Sequence, residues 1–365
     1  MFLLDNNDTR DCNELHTGNT PRSIMTKGSS TSKGTVYGNL IRGNKDKLMI
    51  SYLRHDNYTM SGTCTALFDG DMHFFGGSNY STNTMIESES GYKGVVTTNV
   101  IDFTRQHFMI KTHRTGRMDK IEKLADLDIG FEGASCESFQ IDSFFGSQNV
   151  VILCFDLTRT KSCYLYDGEM TYHISDSNYD HLWDGLVKYK DCLLTVGSWN
   201  SGQKTEILQR SKNGTFIWTV IEPDFNFTTG KRIVYHSLVT IEASDLNEEY
   251  VLLIGGVNDD YYGMKNVFKF NDTWHPFGQL KKPRSFHNSI YWNGRVYIIG
   301  GIYPPDENNL KHETEQGMRN WNAKMEIWTI KDSPDQFETS ENWPMLRRWI
   351  HPHLFIVPDS FFPDK

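Results

Sequence analysis

The sequence predicts an all-β fold assembled from recurring four-stranded units, and three observations lead there. Amphipathic runs at helical spacing are scarce among the 365 residues, while short runs of β-branched, aromatic and aliphatic residues bounded by Gly, Asn, Asp and Ser are frequent. Two stretches, Arg232 to Leu280 and Arg284 to Ile330, carry the same parts in the same order. The tail from Arg348 restarts that order and then stops. A unit of this size that recurs indicates a repeat architecture.

Each of the two clear units opens on an Arg followed three or four residues later by His, as in Arg232 with His236 and Arg284 with His287. An apolar strand follows, then an aliphatic run closed by two glycines: Tyr250 to Gly256 and Val296 to Gly301. A polar, aromatic-bearing loop leads on to a third strand, Asn266 to Phe270 or Lys324 to Ile330, and to a Trp at 274 or 343. Leu193 to Ser198 is a third copy of the aliphatic run, preceded by Gly185 to Tyr189 and followed by strands at Thr205 and Phe216. Met72 to Gly77 is a fourth, preceded by Gly62 to Phe68 and followed by a long insert, Ser78 to Arg105, before the strand at His107. A fifth copy, around Val150 to Phe155, lacks the glycine pair. Its other strands are Ala134 to Gln140, Ser162 to Tyr166 and Met170 to Ile174.

At the N-terminus, Thr35 to Leu40 and Lys47 to Tyr52 read as the third and fourth strands of a last unit, completed by the tail from Arg348 to Val357. Closing a ring between the two chain ends removes the unpaired edge an open stack would leave.

This order of parts resembles the kelch repeat. The match is fullest at Gly255, Gly256, Phe268 and Trp274, with further glycine pairs at Gly300 and Gly301 and at Gly76 and Gly77. The resemblance implies a kelch-type β-propeller over 34–365, with six four-stranded blades, the closing blade shared between N- and C-terminal strands. It further implies one face built from the loops joining strand two to three and strand four to the next blade. Residues 1–33 are polar and expected to be disordered, too few to fold alone. That leaves the propeller without an accompanying adaptor domain. The glycine pairs and Trp274 read as scaffold, since glycine permits the close backbone approach of a tight strand exit.

The composition narrows the function. A formal charge of −9, from 37 basic and 46 acidic residues spread along the chain, offers no concentrated basic surface for nucleic acid. No stretch approaches the ~18 to 20 apolar residues of a membrane helix. There is no Gly-x-Ser-x-Gly, no phosphate-cradling glycine loop and no His-Glu-x-x-His, so no catalytic residue, metal ligand or cofactor is assigned. Some kelch-type propellers are copper oxidases, and a propeller hydrolase is the other enzymatic alternative, but nothing in the 17 Tyr and 13 His selects a ligand set. His236, His287 and His351 are expected to bond within their own units, and Arg232, Arg284 and Arg348 either to tie units together, the reading favoured here, or to lie near one face and contact an acidic partner.

The loops after the aliphatic runs carry the functional expectation. Tyr80, Trp199, Asp259, Tyr261, Tyr262 and Tyr303 fall on one face, and Tyr and Trp are common anchors of partner proteins. A protein or peptide ligand is the expected partner. The compartment stays open: the first residues do not form an ordinary secretory signal, which reads as cytoplasmic, unless the N-terminus is incomplete. Six N-glycosylation sequons, at Asn7, Asn57, Asn79, Asn213, Asn226 and Asn271, and six cysteines suit instead an extracellular glycoprotein with an adhesive or matrix role. Six cysteines allow about 15 connectivities; Cys154 and Cys163 could face each other across a hairpin.

Overall fold

The computed structural model describes residues 2–4, 34–42, 46–55, 58–80, 84–87, 93–96, 100–102, 105–112, 118–143, 146–182, 185–200, 202–222, 225–227, 232–242, 248–259, 262–302, 325–329, 337–340 and 353–358. Among these the chain is all β, with no helix. Five four-stranded antiparallel sheets follow one another. Sheet I holds Cys64–Phe68, Asp71–Phe75, His107–Thr112 and Met118–Lys123, and sheet II holds Ser135–Ser143, Gly146–Asp156, Arg159–Tyr166 and Thr171–Asp176. Sheet III holds Leu186–Tyr189, Cys192–Val196, Thr205–Arg210 and Phe216–Val220, and sheet IV Ser237–Ile241, Tyr250–Ile254, Asn266–Asn271 and Thr273–Gln279. Sheet V holds Ser285–Trp292, Arg295–Ile302, Met325–Thr329 and Phe337–Ser340. In every sheet the strands pair in chain order, an arrangement consistent with a propeller.

The second strand of each sheet explains the aliphatic runs. Tyr250–Ile254 is buried at all five positions, with no polar alternation. A strand covered on both faces by neighbouring layers reads as a continuous apolar run. Those layers are the adjacent sheets: Val187, Leu194 and Val196 of sheet III pack against Val251, Leu253, Phe268 and Phe270 of sheet IV. Sheets II and III are joined likewise through Ile152, Leu165, Leu193 and Leu208, and sheets IV and V through Leu252, Ile254, Val296 and Ile298.

The first strands lie side by side as a cycle. Cys64–Phe68 neighbours Ser135–Ser143, which neighbours Leu186–Tyr189, then Ser237–Ile241, Ser285–Trp292 and His353–Pro358, and the last lies again beside Cys64–Phe68. All six contribute to the lining of a central cavity of about 650 Å³.

The two chain ends meet in a further sheet. His353–Pro358 pairs antiparallel with Asp46–His55, which pairs with Gly34–Arg42, and Phe2–Leu4 adds a parallel partner at Asn39 to Ile41. The N-terminal strands therefore stand in the reverse of the expected order: the segment around 47–52 lies next to the tail and that around 35–40 lies outside it. Residues 5–33 and the motif residues Trp343, Arg348 and His351 lie outside the described residues.

Two disulfides staple this framework. Cys154 and Cys163 are direct cross-strand partners in sheet II, as their spacing suggests, and Cys64 and Cys136 join the first strands of sheets I and II. Cys192 is a free thiol, partly buried.

Candidate functional site

The glycine pairs fix how each second strand leaves the core. Gly255, at φ 62°, brings its backbone so close to the next sheet that a Cβ there would stand 2.5 Å from the carbonyl oxygen of Arg284 and 3.0 Å from the His287 ring. Gly197 makes the same approach to the Ile233 carbonyl and the His236 ring. These matched contacts set the true alignment of the units. Ile233 corresponds to Arg284, Tyr235 to Phe286 and His236 to His287, so Arg232 and Arg284 are not equivalent as their spacing in the sequence suggests.

That one-residue offset separates two roles. Arg284 is fully buried and donates from Nη1 to the carbonyl of Gly300 at 3.0 Å, so it belongs to the scaffold of sheet V. Arg232 sits one position earlier and is half-exposed. Its Nε donates to Asp259 Oδ1 at 2.5 Å, and its guanidinium stands 4.5 Å from the centre of the Trp199 ring. A cation over an indole face is an attractive arrangement, worth on the order of 1 kcal/mol where partly exposed.

The histidines also depart from expectation. His287 Nε2 lies 2.9 Å from Ser237 Oγ, which is in sheet IV, so the contact crosses between sheets instead of staying within one. His236 faces the Val196 carbonyl of sheet III, and burial lowers its pKa to about 3. His181, fully buried, reaches Gly197 O at 2.8 Å through Nδ1 and Glu206 Oε2 at 2.9 Å through Nε2. Burial alone would raise the Glu206 carboxyl; the hydrogen bonds from His181, Asn178 and the Tyr179 amide hold it below its ordinary value. Trp274 is scaffold as well, with Nε1 donating to Thr205 Oγ1 of sheet III at 2.9 Å.

Beside Arg232 lies a feature the sequence reading missed. Tyr235 and Phe286 both occupy left-handed backbone conformations, at φ 58° and φ 55°. Their rings stack at 3.8 Å with 24° between planes. The Phe286 amide donates to the Tyr235 carbonyl at 3.0 Å, and at the matching place between sheets I and II the Gly133 amide donates to the Gly62 carbonyl at 2.9 Å. Gly62 and Gly133 have the same left-handed φ, 65° and 69°. The position thus demands positive φ, which costs a non-glycine residue about 1 to 2 kcal/mol. Two sheets meet that demand with glycine and two with a half-exposed aromatic. The signal in the sequence is an aromatic directly before each of His236 and His287.

Trp199 completes the group, 6.2 Å from the Tyr235 ring. Tyr262 is half-exposed on the next loop, its amide donating to Asn258 Oδ1 at 3.0 Å. The structure thus joins Trp199 and Asp259 through Arg232, with Tyr262 on the loop that follows Asp259. Tyr80 ends the strand Ser78–Tyr80, but its side chain, like Tyr261 and Tyr303 altogether, lies outside the described residues. Among the described residues, no three His, Cys, Asp or Glu side chains gather as a metal site, and no helix is long and apolar enough to cross a membrane.

No family model matches the chain. A stretch of 73 residues is 32% identical to beta-scruin of Limulus polyphemus, covering 17% of this chain and only 8% of that protein. The chain thus spans a small fraction of the length of that relative. Among solved structures, YjhT superposes with a TM-score of 0.52 at 12% identity, over 83% of this chain and 97% of its own. A fungal alcohol oxidase of the AA5 family, in complex with copper, superposes with a TM-score of 0.48 at 13% identity, over 86% of this chain and 64% of its own. The likeness to YjhT is one of fold.

Proposed function

We propose that the chain is a kelch-type β-propeller of six blades, the sixth built from both chain ends, that binds a protein or peptide on the face carrying Trp199, Arg232, Tyr235, Asp259, Tyr262 and Phe286. The sequence pattern alone adds Tyr80, Tyr261 and Tyr303 to this proposed face. The cycle of six first strands around one cavity supports the blade count.

One observation carries the binding assignment: Tyr235 and Phe286 keep bulky rings where glycine would be free of strain, as Gly62 and Gly133 are. Backbone strain of this kind persists where the surrounding structure enforces it, and it marks candidate functional positions. The side chains collected here, Trp, Tyr, Phe and Arg, are those that dominate partner recognition. They supply contact area and one guanidinium held by the Asp259 carboxylate, which is the equipment of a binding face.

The test is affinity capture from a native extract with the wild-type chain beside a Trp199→Ala, Tyr262→Ala, Tyr303→Ala variant. Losing hot-spot residues of this type is expected to reduce recovery of the specific partner by at least about tenfold. Equal recovery of every partner would defeat the assignment.

A further inference from the structure

We infer that Asn213 and Asn226 carry N-linked glycans, added in the oxidising compartment in which Cys64–Cys136 and Cys154–Cys163 form. Disulfides persist in oxidising compartments, and N-glycosylation of Asn-x-Ser/Thr is a modification of secreted chains. Four of the six cysteines are committed to the two disulfides.

Geometry singles out two of the six sequons. Asn213 is exposed at the tip of the hairpin between Thr205–Arg210 and Phe216–Val220. Its Oδ1 accepts from Ser211 Oγ and, at 3.3 Å, from the amide of Thr215, the hydroxyl residue of its own sequon. Both bonds use the oxygen, so neither engages Nδ2, the atom that would be modified. Asn226 is exposed between two aromatics that turn inward. Phe227 is 2% exposed and packs 5.0 Å from the Trp274 ring, and Phe225 lies 5.4 Å from Phe268. With both neighbours anchored in the core between sheets III and IV, Asn226 is held facing solvent.

The other sequons differ. Asn271 is partly buried and its Nδ2 already donates to Glu248 Oε1. Asn79 lies in a strand paired on both sides, with Met60 and with Ile101. Asn7 and Asn57 lie outside the described residues.

In the modification, Nδ2 attacks the anomeric carbon of a lipid-pyrophosphate-linked oligosaccharide. The N–C bond forms, the C–O bond to the pyrophosphate breaks, the lipid pyrophosphate leaves with the bonding electrons, and one Nδ2 proton passes to base. A glycan at Asn213 would stand beside Phe216–Val220, the outer edge of sheet III, where Ile217 is 52% exposed. An apolar edge strand is prone to pair with other chains, and a bulky polar group beside it obstructs that approach.

Peptide mapping of the full chain isolated from its source tests the inference, with free thiols alkylated before reduction and glycans removed enzymatically in heavy-oxygen water. Heavy-oxygen aspartate is expected at 213 and 226, unmodified asparagine at 271, and alkylation of Cys64, Cys136, Cys154 and Cys163 only after reduction. Unmodified asparagine at 213 or 226, label at 271, or alkylation of those four thiols before reduction would overturn it.

Discussion

Between about pH 6.5 and about pH 5 the protein is expected to lose roughly 3 kcal/mol of stability. Burial holds His73, His107 and His236 neutral, lowering their pKa values from 6.5 to about 4, about 3 and about 3. His73 Nδ1 lies 2.9 Å from His107 Nε2, so protonating one also opposes protonating the other. Unfolding frees all three to bind protons, so the unfolded chain carries about 1.5 more than the folded one at pH 6.5 and close to three more (roughly 2.8) at pH 5. The stability these groups contribute is complete above about pH 6.5 and is lost as pH falls toward the folded values. Glu137 works the other way. Burial in the cavity wall pushes its carboxyl up to about 7 from 4.5, so the folded state holds a proton that the unfolded state releases. Nearly three protons against less than one leave a net of about two at the acid end, so at about 1.4 kcal/mol per proton per pH unit the slope rises to about 3 kcal/mol per unit there and averages about 2 across the window. Urea unfolding at a series of pH values reads this slope. His236→Gln should lower it by one proton, whatever it does to the stability itself, and a flat profile would contradict the burial of these histidines.

Breaking Cys64–Cys136 is expected to cost more than breaking Cys154–Cys163. The two bonds close loops of 72 and 9 residues, and in the chain-entropy picture those lengths correspond to roughly 4 and roughly 2.5 kcal/mol. The first bond also ties together two neighbouring inner strands, so its loss opens the contact between sheets I and II. Paired Cys→Ala variants, each lacking one bridge, can be compared by denaturant midpoint. Equal losses, or a larger loss from the 154–163 pair, would count against the long bridge as the main covalent restraint.

The features legible in the sequence are those with a local cause. A strand buried on both faces must be apolar throughout, which is why Tyr250–Ile254 and its copies stood out. The glycine pair marks a backbone approach that a Cβ would block, and Cys154 and Cys163 meet because a short hairpin brings them together. Where the cause is long-range, the reading failed. Pairing of His353–Pro358 with Asp46–His55 has no local signature, and a strand register is set by the surface it covers. The partner of Cys64 could not be chosen among the available connectivities.

The one-residue offset between Arg232 and Arg284 shows the same limit in miniature. Spacing to the next His made them look equivalent, yet the contacts of Gly197 and Gly255 place Ile233, not Arg232, opposite Arg284. That offset frees Arg232 to join Trp199 and Asp259 on the face. Tyr235 and Phe286 escaped notice because an aromatic residue in sequence carries no mark of the left-handed backbone it will adopt.

Whether those two rings are kept for a partner or for the fold is measured by a double variant, Tyr235→Gly with Phe286→Gly, which reads both at once. Glycine relieves about 1 to 2 kcal/mol of backbone strain at each position while the lost ring contacts offset part of that gain, so the denaturant midpoint should stay near wild type. Recovery of the captured partner should fall by at least about tenfold. A collapse in stability with partner recovery unchanged would contradict the binding assignment.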